Sequence, residues 1–248
     1  MTKYRATVFH LTISIAVVAM IVGIATLVWY PPPLFSILGG YGLLALIAGI
    51  DIVLGPVLTF VVFKSGKKGL KFDLFVIGVC QAIALCYGLY TIAGVRPAYI
   101  VFVKDRFELV RAFDVNAENY LAATQSKFDA PPWSGPKIIG VEFPKDEKEQ
   151  FSLIESTLAG GPDIHLLPKH YANFENSRSS VAKRAKPLSQ LIALNPEKRS
   201  LIEKLPANLG YRNDALGFLV YRAIREDIAM IVDVRTGSPL KAIRLKPW

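Results

Sequence analysis

One stretch limits the folds open to this chain more than any other: the 30 residues from Leu34 to Phe63 are almost wholly apolar and carry a single charge, on Asp51. A helix needs about 20 such residues to cross the hydrocarbon core of a membrane. A carboxylate at that depth costs a few kcal/mol or more, so it requires a partner, a hydrated cavity or a proton. The stretch therefore predicts a transmembrane helix organised around a buried polar contact.

Two further apolar runs, Ala6–Val28 and Phe72–Gly94, indicate two more transmembrane helices. The first run is longer than the core of about 7–15 residues in a signal peptide, and no small-x-small cleavage site follows it, so we interpret it as an uncleaved helix. It ends at Trp29-Tyr30 and Pro31–Pro33, since proline lacks an amide donor and clashes with the preceding turn. Residues 1–95 are thus predicted to form a three-helix transmembrane bundle, with helices at about 6–29, 34–63 and 72–94.

The loop at residues 64–71, KSGKKGLK, sets the predicted orientation because it holds four lysines in eight residues. Cytoplasmic loops of membrane proteins are enriched in Lys and Arg, so this loop is predicted to be cytoplasmic. Three crossings then place the N-terminus in the cytoplasm. Arg96 and everything after it lie on the opposite side of the membrane.

Residues 96–248 have the composition of a solvated domain. The first 95 residues hold six of the 29 Lys and Arg and two of the 20 Asp and Glu, which leaves +5 of the net charge of +9 for this domain. The charge is spread over a mixed surface with no run of basic and aromatic residues, so nucleic-acid binding is not expected.

Short strand patterns lie toward both ends of this domain, and helical patterns lie between them. This order predicts an α+β domain with one antiparallel sheet covered by helices. Helices are predicted at 116–124, at 145–158 and in pieces across 168–206, with 173–186 as a mobile loop. The predicted strands are 98–103, 106–113, 137–143, 216–224, 227–234 and 240–245.

Small residues line two faces of the second apolar run, where they would let another helix approach closely. Pro56 is expected to kink this helix and to free a carbonyl near Asp51. Gln81 of the third run lies at a similar depth, so a hydrogen bond between Gln81 and Asp51 is predicted. Asp51 is then either an internal strut or a contact for another transmembrane segment, and both interpretations stay open. One face contains Gly42, Ala45 and Gly49, and the other contains Ala48, Asp51, Gly55 and Thr59.

The sequence predicts neither an enzyme nor a cofactor. Cys80 and Cys86 are six residues apart in the third run, so on a helix they point in different directions and do not favour a disulfide. His165 and His170 flank Pro168 without the spacing of a zinc site, and no catalytic or phosphate-binding motif is present. We therefore expect a binding module without a metal site.

Several segments resemble the TfpX/TfpZ family of type IV pilin accessory proteins, also called FimB-like pilin chaperones. The resemblance covers residues 29 to about 114 and the terminal strand pair that ends in DVRTGSPL. It rests on WYPPPLF, a Gly pair, GIDIVLGPVLTFVVF, the lysine loop with KFDL, Gln81 and RPAYIVF. Its most specific element is D-x-x-x-G-P-x-L-T, which corresponds here to Asp51, Gly55, Pro56, Leu58 and Thr59.

The resemblance implies a non-enzymatic chaperone of the bacterial inner membrane, with residues 96–248 in the periplasm, that binds a type IV pilin and promotes its stability or its assembly into pili. The implied partners are the major pilin, membrane lipids and other pilus assembly components. Two other classes remain open: a membrane-anchored sensor or subunit of another envelope assembly machine, and a transport component that uses Asp51 as a proton or ion site in an oligomer. The expected pilin contacts are Asp51, Gly55, Pro56, Leu58, Thr59 and Gln81.

Overall fold

The structure is a computed structural model that describes residues 2–123 and 127–248. The chain divides into two compact units. The membrane unit contains residues 2–31 and 39–96, and the sheet unit contains residues 32–38 and 97–248. The short segment between the first two long helices therefore belongs to the sheet unit, although the sequence pattern assigned it to the second helix.

The membrane unit contains three helices that are long and apolar enough to cross a membrane, and we call them the first, second and third spans. The first span changes to a π-helical turn over its last five residues, Ala25–Trp29. The second span has a π-helical turn at Gly49–Leu54, which carries Asp51 and immediately precedes the helical turn that contains Pro56. The spans are Lys3–Trp29, Gly40–Val62 and Leu70–Gly94.

The second span begins at Gly40 and not at Leu34, because the chain turns between these residues. Gly39 has a φ of +79°, a left-handed conformation that glycine adopts without steric cost, and it is the N-terminal cap of the span. The residues before it form a separate short helix, Leu34–Ile37. Hydropathy alone did not resolve the two helices, since both are apolar.

One end of the membrane unit is held by two contacts between residues far apart in the sequence. The hydroxyl of Tyr30 donates a hydrogen bond to the carbonyl of Ile92 at 2.9 Å. The guanidinium of Arg96 lies over the ring of Trp29, with 5.9 Å from Cζ to the ring centroid. These contacts join the end of the first span to the end of the third.

The sheet unit is built on a mixed sheet, so the predicted purely antiparallel sheet is wrong. Its strand order is β4-β3-β1-β2-β6-β7-β8, with β5 paired to β6. The pairs β1–β3 and β2–β6 are parallel. A parallel pair needs a crossover connection, and in both cases the chain forms at least one other strand and a helix before it returns to the sheet. The strands are β1 (Pro97–Val103), β2 (Arg106–Arg111), β3 (Lys137–Val141), β4 (Tyr171–Asn173), β5 (Lys186–Pro187), β6 (Leu216–Arg222), β7 (Asp227–Asp233) and β8 (Pro239–Ile243).

Short helices cover the sheet. The segment 173–186, predicted as a mobile loop, contains a 3₁₀ turn and the helix Arg178–Arg184, whose Val181 is fully buried in the core. The helix predicted at 116–124 is observed at Ala117–Leu121, and the end of that prediction at 124 lies outside the described residues. The α-helices after β2 are Ala117–Leu121, Glu147–Leu158, Arg178–Arg184, Leu188–Leu194, Arg199–Glu203 and Leu205–Leu209.

The core has two sides because alternate side chains of a strand point to opposite faces of a sheet. On one side, Ile100 and Phe102 of β1 pack in a cluster that also contains Leu34 and Ile37. On the other side, Tyr99 and its alternate neighbours in β1 pack in a second cluster beneath the connecting helices. The segment 32–38 therefore supplies part of the hydrophobic core of the sheet unit.

Candidate functional site in the membrane unit

The charged residue of the second span is buried inside the membrane unit. Asp51 lies in the π-helical turn and is only 5% exposed. The side-chain amide of Gln81, on the third span, donates a hydrogen bond to the Asp51 carboxyl with 3.5 Å between Nε2 and Oδ1. The predicted contact between these residues is present, at the long end of hydrogen-bond distances.

Gly55 provides the space in which this contact forms. A Cβ atom at Gly55 would lie 2.0 Å from Nε2 of Gln81 and 2.6 Å from Cδ. The atoms that this Cβ would clash with belong to the end of the flexible Gln81 side chain and not to a helix backbone. The glycine therefore makes room for the Gln81 amide more than for close approach of the two helices. Gly55 therefore acts on Asp51 through the position of Gln81.

The first span adds polar groups that the sequence analysis did not assign to this site. Nδ1 of His10 and Oγ1 of Thr59 share a hydrogen bond of 2.7 Å, and Thr59 is buried. Ser14, one turn further along the first span, is also buried. The signal was present in the sequence, since His10 and Ser14 are four residues apart and share a helix face. All three spans thus contribute polar side chains to the interior of the unit.

The D-x-x-x-G-P-x-L-T element is divided by the fold. Asp51, Gly55, Pro56 and Thr59 are buried within the membrane unit, whereas Leu58 is 46% exposed on its surface. The buried position of Asp51 and its bond to Gln81 favour the internal strut over a direct contact with another protein. Leu58 alone among the six predicted contact residues has a largely exposed side chain.

The other small-residue face of the second span is open. A Cβ atom placed on Gly42 or on Gly49 would meet no atom of residues 2–123 and 127–248 within 4 Å, and Ala45 between them is exposed. Gly88 of the third span shows the contrast, because a Cβ there would lie 2.8 Å from the side chain of Ile47. We call Gly42, Ala45 and Gly49 the open face. It leaves room for a further helix to pack closely on the second span.

Comparison with known proteins identifies the family. Two fimbrial assembly proteins of Dichelobacter nodosus match over most of their length: the protein of serogroup I is 31% identical over 208 residues, covering 81% of this chain and 80% of the relative, and that of serogroup E1 is 31% identical over 184 residues, covering 73% and 70%. This chain belongs to the family of fimbrial assembly proteins. The resemblance to pilin accessory proteins is thereby confirmed.

A third fimbrial assembly protein, of serogroups C1 and C2 of the same organism, is 37% identical over 109 residues, which cover 43% of this chain and 82% of the relative. A scan of this chain against models of known protein families gave no match. No solved structure matches it.

In the sheet unit of this fimbrial assembly protein, ionisable groups form a polar cleft. The carboxylate oxygen Oε1 of Glu108, on β2, lies 3.2 Å from Nε of Arg106 and 3.6 Å from Nη1 of Arg222. Burial raises the pKa of Glu108 to about 7, although both guanidinium groups act in the opposite direction. His165 lines the same cleft, and burial lowers the pKa of its imidazole. Ion pairing accounts for this cluster, and we assign it no catalytic role.

Three other residues considered from the sequence are His170, Cys80 and Cys86. His170 is buried, and burial lowers the pKa of its ring. Cys80 and Cys86 are exposed free thiols on the third span. Within residues 2–123 and 127–248, no group of three or more His, Cys, Asp or Glu side chains is placed to hold a metal ion.

The contact between Gly55 and Gln81 makes a testable prediction for the stability of the membrane unit. Gly55→Ala is expected to displace the Gln81 amide from Asp51 and to cost about 1–2 kcal/mol, the cost of a buried polar group that loses its hydrogen bond. In a Gln81→Ala background the added methyl meets no amide, so the same substitution should cost less than about 0.5 kcal/mol. Thermal unfolding of the four detergent-solubilised proteins measures this cycle. Equal costs in both backgrounds would show that Gly55 serves another contact.

Proposed function

We propose that this protein acts in pilus assembly from the bacterial inner membrane, as a non-enzymatic chaperone that binds a type IV pilin before or during its assembly into pili. The names of its relatives, fimbrial assembly proteins, support the role in assembly. Its three spans are long and apolar enough to cross a membrane, which supports the location. Binding of the major pilin is the finer part of the proposal and rests on a separate observation.

That observation is the division of the second span into a closed face and the open face. The closed face is filled by side chains of this chain, including Gln81 at Gly55. On the open face, the space that a Cβ atom at Gly42 or Gly49 would enter holds no atom of the described part of the chain within 4 Å. Packing against small residues is a main source of helix association in membranes. A pilin of the kind the resemblance implies carries one long membrane helix, and the open face suits such a partner.

We propose the orientation that the lysine loop predicts, with residues 64–71 in the cytoplasm and the sheet unit in the periplasm. The sheet unit is made of two separate chain segments, and this supports the three crossings. Segment 32–38 follows the first span and residue 97 follows the third, and the two parts fold into one unit. They must lie on the same side of the membrane, as three spans place them.

Site-specific photo-crosslinking in native membranes tests the pilin contact. A probe at Ala45, on the open face, is expected to yield a pilin adduct identified by mass spectrometry. A probe at Leu58 extends the search to the exposed residue of the family element. The matched control is a probe at Ile83 of the third span, a 65% exposed position outside both faces.

The outcomes separate the proposals. A pilin adduct from Ala45 that is absent from Ile83 supports the chaperone and locates its contact. Equal adducts at both positions indicate random encounter in the membrane and argue against a specific face. A self-adduct from Ala45 without pilin assigns the open face to an oligomer of this chain and overturns its role as the pilin contact.

A further inference from the structure

A cavity of about 740 Å³ lies at the edge of the sheet unit. It is lined by Pro32 and Pro33, which we call the proline wall, and by residues of the helices Arg199–Glu203 and Leu205–Leu209 and of β8. Leu205 is a buried part of the apolar lining. The cavity thus has a partly apolar lining. It lies at one edge of the sheet, because β8 is the edge strand.

The rim of this cavity is strongly basic. Lys198, Lys204 and Lys241 line it with exposed side chains, and none of the three lies within ion-pair distance of an acid in residues 2–123 and 127–248. Glu197 is the one acidic residue in the described lining. A fourth basic residue, Arg244, is neutralised by Glu226 at 2.8 Å. Three ammonium groups against one carboxylate leave a positive excess around an apolar lining, which creates a site for an anion that also carries an apolar portion.

The covalent chain restricts how far this cavity is from the membrane. Pro33 follows Trp29, the last residue of the first span, by only four residues. An extended chain reaches at most about 3.6 Å per residue, so the proline wall begins within about 14 Å along the chain from the end of the span. The headgroup region of a bilayer starts where a transmembrane helix leaves the hydrocarbon core. Anionic lipid headgroups are therefore the anions that this basic rim meets at the highest local concentration.

We propose that the cavity binds the headgroup of an anionic phospholipid. The lipid phosphate would be held by Lys198, Lys204 and Lys241, and the glycerol and first acyl carbons would lie against the proline wall and Leu205. The ammonium group of a lysine is a compact charge with three hydrogen-bond donors on a flexible side chain. It can therefore follow a lipid phosphate that reorients in the headgroup region. This inference is independent of pilin binding, because it concerns a different unit and a different class of ligand.

Lipid titration of the purified full-length protein by native mass spectrometry tests the site. The triple variant K198Q/K204Q/K241Q is expected to bind phosphatidylglycerol about tenfold more weakly or worse, since each lysine near an anionic surface contributes severalfold to binding. The control variant K137Q/K145Q/K148Q removes the same charge from exposed lysines elsewhere in the sheet unit and should bind like the wild type. The thermal midpoints of both variants should match the wild type, because all six side chains are exposed.

Three results would overturn the proposal. Equal weakening in the two variants would mean that general positive charge, and not the cavity, attracts the lipid. Equal affinity of the wild type for phosphatidylglycerol and phosphatidylcholine would remove the preference for an anionic lipid. Full competition by millimolar inorganic phosphate would identify a free anion as the ligand in place of a lipid headgroup.

Discussion

Replacing Gly237 with alanine is expected to destabilise the sheet unit by about 3 kcal/mol, at the upper end of the effects usual for single substitutions. Gly237 has a φ of +68°, which an alanine adopts only with strain. A Cβ atom there would also lie 2.0 Å from the carbonyl oxygen of Arg178 and 2.7 Å from its carbonyl carbon. These are backbone atoms at the start of a helix that Val181 anchors in the core, so they cannot move aside cheaply.

Gly210→Ala is the matched control for this prediction. Gly210 also has a positive φ, of +74°, but a Cβ atom there would meet no atom of the described residues within 4 Å. Its replacement should therefore cost only the backbone strain, about 1 kcal/mol. Pulse proteolysis of the full-length protein in increasing urea, with detection of the C-terminal fragment, gives both values. Similar losses for the two variants would show that backbone strain accounts for the effect without the contact to Arg178.

The turn around Gly237 belongs to the DVRTGSPL stretch on which the family resemblance partly rests, and its chemistry is structural. The Asp233 carboxylate accepts hydrogen bonds from the amide of Arg235 at 2.8 Å and from the hydroxyl of Thr236 at 2.9 Å. Burial acts to raise the pKa of Asp233, but these hydrogen bonds outweigh it and hold the pKa below its usual value. The carboxylate thus stays ionised at neutral pH. The helix at Arg178 is fixed to the same turn, because its guanidinium donates a hydrogen bond to the hydroxyl of Ser238.

Hydropathy predicted the existence of the three spans, because each is a continuous apolar run, but it placed the start of the second span at Leu34 instead of Gly40. Hydropathy did not predict the direction of the strands in the sheet. The parallel pair β2–β6 joins residues more than 100 positions apart, and no local pattern records which way the later strand runs. The helix at Arg178–Arg184 was missed for a related reason. Its exposed side is polar, and its single core residue, Val181, is too weak a signal for a helical period.

The sequence predicted the contact between Asp51 and Gln81 but not the other contacts around the candidate site. Counting helical rise from the lysine loop placed Asp51 and Gln81 at one depth, which is a geometric property of two neighbouring helices. The choice of which small-residue face would be closed depends on the azimuth of each helix, which sequence spacing alone does not give. The contact of His10 with Thr59 was missed because a histidine near a helix start also suits the membrane interface.

The segment between the first two spans leads to the second large prediction. Leu34 and Ile37 are 2% and 4% exposed in the core cluster of the sheet unit. Leu34→Ala and Ile37→Ala are each expected to cost about 3 kcal/mol, because truncating a buried aliphatic side chain loses its transfer free energy and leaves a cavity. Ser36→Ala, between them, is the control. Its exposed hydroxyl donates a hydrogen bond to the nearby carbonyl of Pro33 at 2.9 Å, so the loss should stay below about 1 kcal/mol.

Pulse proteolysis of the sheet unit in the full-length protein distinguishes this arrangement from a simple linker. If 32–38 were only a connection between two spans, alanine at Leu34 or Ile37 would leave the resistance of residues 97–248 unchanged, and the prediction would fail. If it completes the core, both variants unfold at lower urea while Ser36→Ala does not. The sheet unit then reaches full stability only after the first span has delivered 32–38 to the same side of the membrane. Folding of the sheet unit would in that case depend on correct insertion of the membrane unit.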